Sequence, residues 1–449
     1  MRENIAIVIL LVVTTFAYSL VMVNVYSSTK GSEEANGVSA VSEDAVSSDE
    51  AAFFGEVTVT PSPTPQAGPT QAEEEETEEE GAFRQPVSLK GISACRQWTE
   101  DKDDILSAKE ETGPAPTPVD LIIDLDYNSD VDDTAALRIA AMLDRMGRVH
   151  LKAAMASTGG EKVCKALHAQ LSYDGYGNVP IGASAQNTPG GSPYWDDLID
   201  HYFTAGDYRV YNSVELYKSV LREMDSIEKE KEKERKRYKK KFECSDDELP
   251  EELKSVQKIK IVTTGYLVNV AGLLQDPEGY NLVSRYVDSV WVTGGVYMQG
   301  DDHNFICTTD IAESARYVLA QCPVTLIFSS SASIDNEDGS SIFCGAGIQH
   351  LDTAGRDPVA MAYRDYGKAN NTSMVGGRYA WDPFCLWAAC LPMEETLTHL
   401  EYINLSIDHT GRNRFTYDLP ANCQIIRRNS DEQGWYTSQL EQLINAGLR

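Results

Sequence analysis

From Val119 the chain reads Val-Asp-Leu-Ile-Ile-Asp-Leu-Asp, an apolar strand that ends in acids. It then passes through Tyr127, Asn128, Ser129, Asp130, Val131, Asp132 and Asp133 into Thr134-Ala-Ala-Leu-Arg-Ile-Ala-Ala-Met-Leu, which has helical spacing. Asp124, Asp126, Asp130, Asp132 and Asp133 thus put five carboxylates within ten residues. Such a group repels itself unless a cation or several hydrogen bonds compensate it, and hard oxygen ligands this close together suit Ca²⁺ or Mg²⁺. Solvated loop acids are the simpler reading. The apolar strand running directly into the cluster makes mere exposure less credible.

Downstream the pattern alternates. Apolar runs at 149–155, 258–263, 288–293 and 323–328 read as strands, and amphipathic stretches at 161–172, 213–226, 267–274 and 310–320 read as helices. This alternation predicts an α/β fold over residues 116–449, a mainly parallel sheet flanked by helices with a Rossmann-like core. Ligands in that architecture bind outside the carboxyl ends of the strands. A charged insertion at about 226–256 interrupts the rhythm. Its run from Glu228 to Lys241 reads as a solvated helix laced with i,i+4 pairs, with a polyanion or membrane-surface site as the alternative.

Three motif families compete for the acids. An EF-hand-like loop finds its oxygen ligands in Asp124, Asp126, Asn128 and Asp132, but Ser129 and Ala135 stand where it needs Gly and Glu, and a strand precedes it instead of a helix. A haloacid-dehalogenase-type phosphatase also places Asp-x-Asp after a strand, yet Asn128 occupies its Thr or Val position and its later Lys has no counterpart. The segment most closely resembles the signature of the inosine-uridine-preferring nucleoside hydrolases, in a divergent form reading Ser129-Asp-Val-Asp-Asp133. Tyr127 and Asn128 replace the usual Pro-Gly, and two extra residues separate the Asp pairs. Ile261-Val-Thr-Thr264-Gly, Trp291-Val-Thr-Gly294-Gly295, His303-Asn304-Phe305 and Trp381-Asp382-Pro383 resemble further family segments, in the family's order.

The resemblance implies calcium-dependent hydrolysis of the N-glycosidic bond of nucleosides or related ribosides. It implies Asp124, Asp133, Asp382 and the Thr264 carbonyl as Ca²⁺ ligands and Asp126 as the base that activates water. Asn304, Asp302 and Asp132 would contact the substrate. Trp381 stands where better-studied members have the His that protonates the leaving base, and is expected to stack on a base or sugar face or to be core. His201, His303 and His350 remain as histidines without an assigned role. A non-catalytic ribose-binding or nucleoside-binding surface protein is the second hypothesis, and the phosphatase is the third.

The first 115 residues have a different character. No residue from Ile5 to Val23 is charged, and a helix of that length crosses the ~30 Å hydrocarbon layer. Residues 1–26 therefore read as an N-terminal transmembrane anchor, or else a signal peptide, with residues 27–115 as an acidic Pro-rich, Ser-rich and Thr-rich disordered tether. The expected location is the extracellular face of the membrane, with secretion after signal cleavage as the alternative. A formal net charge of -30 argues against a nucleic-acid partner. The expected partners are a small-molecule nucleoside or riboside and the membrane, and a homo-oligomer is left open. Nine cysteines without CxxC spacing suggest buried thiols instead of a structural zinc site.

Overall fold

The computed structural model describes residues 118–448 apart from Ser129, Asn187, Pro189, Asp207, Ser255 and 336–339. The expected anchor and tether lie outside the described residues. Among the described residues no helix is long and apolar enough to cross a membrane.

Strand β1 (Val119–Leu125) organises the molecule because it is apolar on both faces. Leu121, Ile123 and Leu125 enter one core with the helix Asp132–Arg145, while Ile122 enters the other, beneath the helices Ser213–Phe242 and Val268–Gln275. A strand buried on both sides is the mark of a helix-covered parallel sheet. The other strands are β2 (Val149–Ala156), β3 (Ile181–Ala183), β4 (Val210–Asn212), β5 (Ile259–Thr263), β6 (Val287–Thr293), β7 (Gln299–Gly300), β8 (Thr325–Ser329), β9 (Phe343–Cys344), β10 (Arg378–Tyr379), β11 (Thr398–Ile407), β12 (Asn413–Thr416) and β13 (Cys423–Arg428).

An eleven-stranded sheet has the order β4-β3-β2-β1-β5-β6-β8-β13-β11-β12-β7, and β9 pairs separately with β10. Pairing is parallel from β4 across to β13 and antiparallel from there to β7. The chain moves outward from β1 through β2, β3 and β4, then returns to the other side of β1 with β5, β6 and β8. This reversal makes the carboxyl ends of β1 and β5 a topological switch point, where the connections splay apart and leave a crevice.

The segment at 226–242 is the outer half of one 30-residue helix, Ser213–Phe242, whose inner half packs on the core. Its charges pair along the helix, Lys229 with Asp225, Lys233 with Glu230 and Lys236 with Glu232. Exposed pairs of this kind each add only about 0.3–0.5 kcal/mol.

On the opposite face Arg138 is fully buried between two carboxylates, Asp174 at 2.7 Å and Asp357 at 3.0 Å, and donates to the Ile444 carbonyl at 3.2 Å. The triad ties the helix Asp132–Arg145 to its neighbours and to the C-terminal helix. Asp357 also caps the helix Pro358–Ala369 through Val359 N and Ala360 N. Asp357→Ala therefore leaves a buried guanidinium half compensated and a helix uncapped, at a cost of about 3 kcal/mol. A fall in the urea midpoint at constant slope checks this, and an unchanged midpoint refutes it.

Candidate active site

Each acid reaches the crevice by its own element. Asp124 is the penultimate residue of β1, and Asp126 follows the strand end. Asp132 and Asp133 form the first turn of the helix Asp132–Arg145, and Asp382 lies in the first turn of the helix Trp381–Cys390. Two helix N-termini thus direct their partial positive charge at these carboxylates. Thr264 follows β5, and Gly265 is required beside it because a Cβ there would sit 2.2 Å from Asp126 N and 2.6 Å from Ser157 Oγ.

The structure brings Asp126, Asp132, Asp133 and Asp382 together in a buried group. Asp126 and Asp133 share a hydrogen bond between their side chains. Asp133 Oδ1 accepts from Thr264 Oγ1 at 3.1 Å, and Asp133 Oδ2 is buried without a partner. Asp132 Oδ2 accepts from the backbone N of Asp382 at 3.2 Å. Burial above all, then mutual repulsion, lifts the carboxyls of Asp132, Asp133 and Asp382 well above the usual carboxylate range. Burial also raises Asp126, against the pull of its hydrogen bond to Asp133.

Asp124 stands behind this group. Its Oδ2 accepts from Tyr217 Oη at 2.9 Å and its Oδ1 from Asn269 Nδ2 at 3.0 Å, and Asn269 is fixed in turn by Ser213 Oγ and the Ala156 carbonyl. Both oxygens of the expected ligand therefore already carry a donor. Burial still pushes its carboxyl up to about 7.

Among the described residues no three His, Cys, Asp or Glu side chains stand in ready ligating geometry. The donor chemistry nevertheless suits a hard cation, since the group is all oxygen, buried and self-repelling, with one carboxylate oxygen unpartnered.

The loop that departs from the family pattern is fixed by its surroundings. Tyr127 takes a positive φ of 48°, which costs a non-glycine residue roughly 1–2 kcal/mol. Its hydroxyl donates to Gln170 and its carbonyl accepts from Trp195 Nε1 at 2.8 Å. Asn128 Nδ2 donates to Tyr266 Oη at 3.2 Å and its Oδ1 accepts from Gly191 N at 2.7 Å. Asp130 does not join the buried group. It holds Arg378 at 2.6–3.1 Å through Nε and Nη2.

The expected substrate residues ring the group. Asn304 Nδ2 bridges the Thr264 and Thr293 carbonyls, both at 3.1 Å, and so binds the β5 and β6 ends together. Asp302 accepts from Gly295 N and Asn304 N, both at 2.9 Å, which makes it the cap of this turn. Trp381 is partly buried and stacks on Tyr379 at 4.7 Å and 14°. His303 is exposed, with Nε2 3.1 Å from Tyr266 Oη.

No protein-family model matches this chain, and no curated protein sequence matches it. Solved structures do. A plant nucleoside hydrolase is 14% identical, with 73% of this chain and 99% of that one covered at a TM-score of 0.49. The type III effector protein XopQ complexed with adenosine diphosphate ribose is 16% identical, with 75% and 96% covered at 0.49. An inosine-guanosine nucleoside hydrolase is 13% identical, with 72% and 98% covered at a TM-score of 0.50. The chain has the nucleoside hydrolase fold. This nucleoside-hydrolase-like domain spans nearly all of that structure, so the whole architecture corresponds and not one βαβ unit.

Three residues at the site have no assignment from sequence. Asn269 had a visible signal, as an amide in the middle of the apolar run Val268-Asn-Val-Ala-Gly-Leu-Leu, where a buried polar group demands a partner. Tyr217 and Arg378 had none, because their partners lie 93 and 248 residues away.

Proposed function

We propose that this protein hydrolyses the N-glycosidic bond of nucleosides or related ribosides, with Ca²⁺ as its cofactor. The observation that carries this reading is the convergence of Asp126, Asp132, Asp133 and Asp382, buried and mutually raised, at the switch point of a nucleoside hydrolase fold. Asp126, Asp133, Asp382 and the Thr264 carbonyl would hold the cation. Asp124, already bonded to Tyr217 and Asn269, supports them from behind. When bound, Ca²⁺ supplies polarisation and orientation of a water and of the ribose hydroxyls.

Besides its place among the cation's ligands, Asp126 orients the attacking water and takes its proton as the new C–O bond forms. Asp132 presents Oδ1 to a ribose hydroxyl while its Oδ2 stays on the Asp382 amide. Asn304 and Asp302 shape the sugar-facing turn, and the partly buried ring of Trp381 borders the leaving base. The phosphatase reading loses support because Asp124, which would be its nucleophile, is fully buried with both oxygens engaged. The binding-module reading is favoured by one observation, the indole of Trp381 where an imidazole would donate a proton.

Ribose release by the full chain from inosine, uridine and nitrophenyl riboside, with Ca²⁺ and with chelator, tests the proposal. General-acid help is worth about 10²–10⁴ in rate, so nitrophenyl riboside, whose leaving group needs no proton, should react at least about 10²-fold faster than inosine. Chelator should stop both. A thermal shift with ribose but no release from any substrate would favour the binding module.

A further inference from the structure

Arg378 is placed beside the site in an arrangement that simple ion pairing does not require. It sits in the short strand β10, anchored by its pairing with Cys344 of β9. Asp130 engages Nε and Nη2 of the guanidinium. The guanidinium carbon lies 5.3 Å from the Trp381 ring centroid, 5.4 Å from Tyr379 and 5.5 Å from Tyr366. The side chain keeps about a quarter of its surface exposed. Its charge also acts on Asp132, so the cation borders the same crevice as the buried acids.

A bidentate carboxylate and aromatic faces fix a guanidinium in one orientation. With Nε and Nη2 turned to Asp130, the Nη1 edge of the fork is left to meet a ligand lying against Trp381. A fixed positive group at that place can stabilise charge as it develops on a departing base, and needs no reorganisation to do so.

We infer that Arg378 is a specificity-determining catalytic residue that stabilises the leaving base as an anion, so that the substrates are ribosides of acidic, oxo-substituted bases. The inference rests on the hydrolase reading above. The C1′–N bond breaks with its electron pair passing to the base nitrogen, while the water oxygen bonds to C1′ and its proton goes to Asp126. The base leaves as an anion paired with Arg378 and takes up a proton from solvent after release. Asp126 then returns its proton to solvent. The scheme accounts for the lack of an imidazole at position 381, because proton donation is replaced by a fixed cation.

Rates with Ca²⁺ on adenosine, inosine, uridine, xanthosine and nitrophenyl riboside provide the test, using the native chain, Arg378→Gln, Arg378→Lys and Asp130→Asn. The native chain should cleave xanthosine at least about 10-fold faster than adenosine. Arg378→Gln should slow xanthosine and uridine by about 10²-fold, the loss typical of one electrostatic donor, and nitrophenyl riboside by less than about threefold. The dependence of rate on leaving-group acidity would steepen accordingly, and Arg378→Lys should recover part of the loss. Asp130→Asn, which keeps the cation but weakens the contact that fixes it, should steepen the dependence clearly less than Arg378→Gln does.

Equal slowing of all substrates in Arg378→Gln, or the same steepening in Asp130→Asn, would reduce Arg378 to a structural partner of Asp130 and overturn the inference while the hydrolase reading stands. A native preference for adenosine would also overturn it. Absence of turnover on every riboside, nitrophenyl riboside included, would remove the hydrolase reading itself and the role of Arg378 with it.

Discussion

Asp126→Ala should lower ribose release from every riboside by about 10⁴-fold, the upper range for loss of a general base, while leaving the protein at least as stable as the native chain. The two halves of this result come from one cause. Asp126 is buried, hydrogen-bonded to a second carboxyl and close to two more, and burial already holds its carboxyl above the usual range. Removing it lowers the repulsion on Asp133 and Asp382, whose raised carboxyls both record its charge. An active site that stores such repulsion trades stability for chemistry. The measurement is paired: initial rates on nitrophenyl riboside and the urea midpoint of the chelated protein. Retention of more than about a tenth of the native rate would give the base role to another group.

The contrast with Asp357→Ala sharpens this. Both residues are buried carboxylates, but Asp357 faces a guanidinium and two backbone N–H groups, whereas Asp126 faces carboxylates. Loss of the first leaves a buried charge half compensated and loss of the second relieves a repulsion, so the two alanine variants should move the midpoint in opposite directions.

Much of the fold was legible because its core strands are short apolar runs between amphipathic helices. The runs expected at 149–155, 258–263, 288–293 and 323–328 correspond to β2, β5, β6 and β8, and the expected helices fall between them. The antiparallel extension was not anticipated, although Ile403, Leu405 and Ile407 in β11 alternate with outward polar residues, the period of a half-buried strand. The helix expected to end near 226 continues to 242, because its outer half is held by charge pairs and loses the apolar stripe that a periodicity argument follows. At the site, chain-local acids were legible and long-range partners were not. Asp130 looked like one more acid of the cluster, and only the fold, by bringing β10 to the loop after β1, reveals Arg378 as its counter-ion. Tyr217 was hidden for the same reason, on a helix legible from its amphipathic spacing but with its partner Asp124 93 residues away.

Without metal, the protein should lose stability as pH rises from about 4 to above 7, and Ca²⁺ should restore more of it at pH 8 than at pH 5. Burial is the first cause for Asp124, whose carboxyl is pushed from 3.8 to about 7 against the hydrogen bonds from Tyr217 and Asn269. A folded pKa above the unfolded one means that the native chain keeps a proton which the unfolded chain releases. The stabilisation is therefore complete below about 4 and lost as pH climbs through about 7. At 1.36 kcal/mol per unit, Asp124 alone contributes on the order of 4 kcal/mol, and Asp132, Asp133 and Asp382 act in the same direction. Lowered carboxyls such as Asp225, Asp276 and Glu278 act in the opposite direction, but they lie at the surface in ion pairs that solvent screens. A bound cation favours the ionised carboxylates of Asp126, Asp133 and Asp382 and competes with protons for their oxygens, so its contribution, about 2.7 kcal/mol at a hundredfold excess over Kd, should grow with pH. Melting temperatures at pH 5 and pH 8, each with chelator and with CaCl₂, decide the matter. A chelated protein whose melting point does not fall between the two, or a Ca²⁺ increment equal at both, would mean that the buried acids are compensated within the protein and that no cation belongs there.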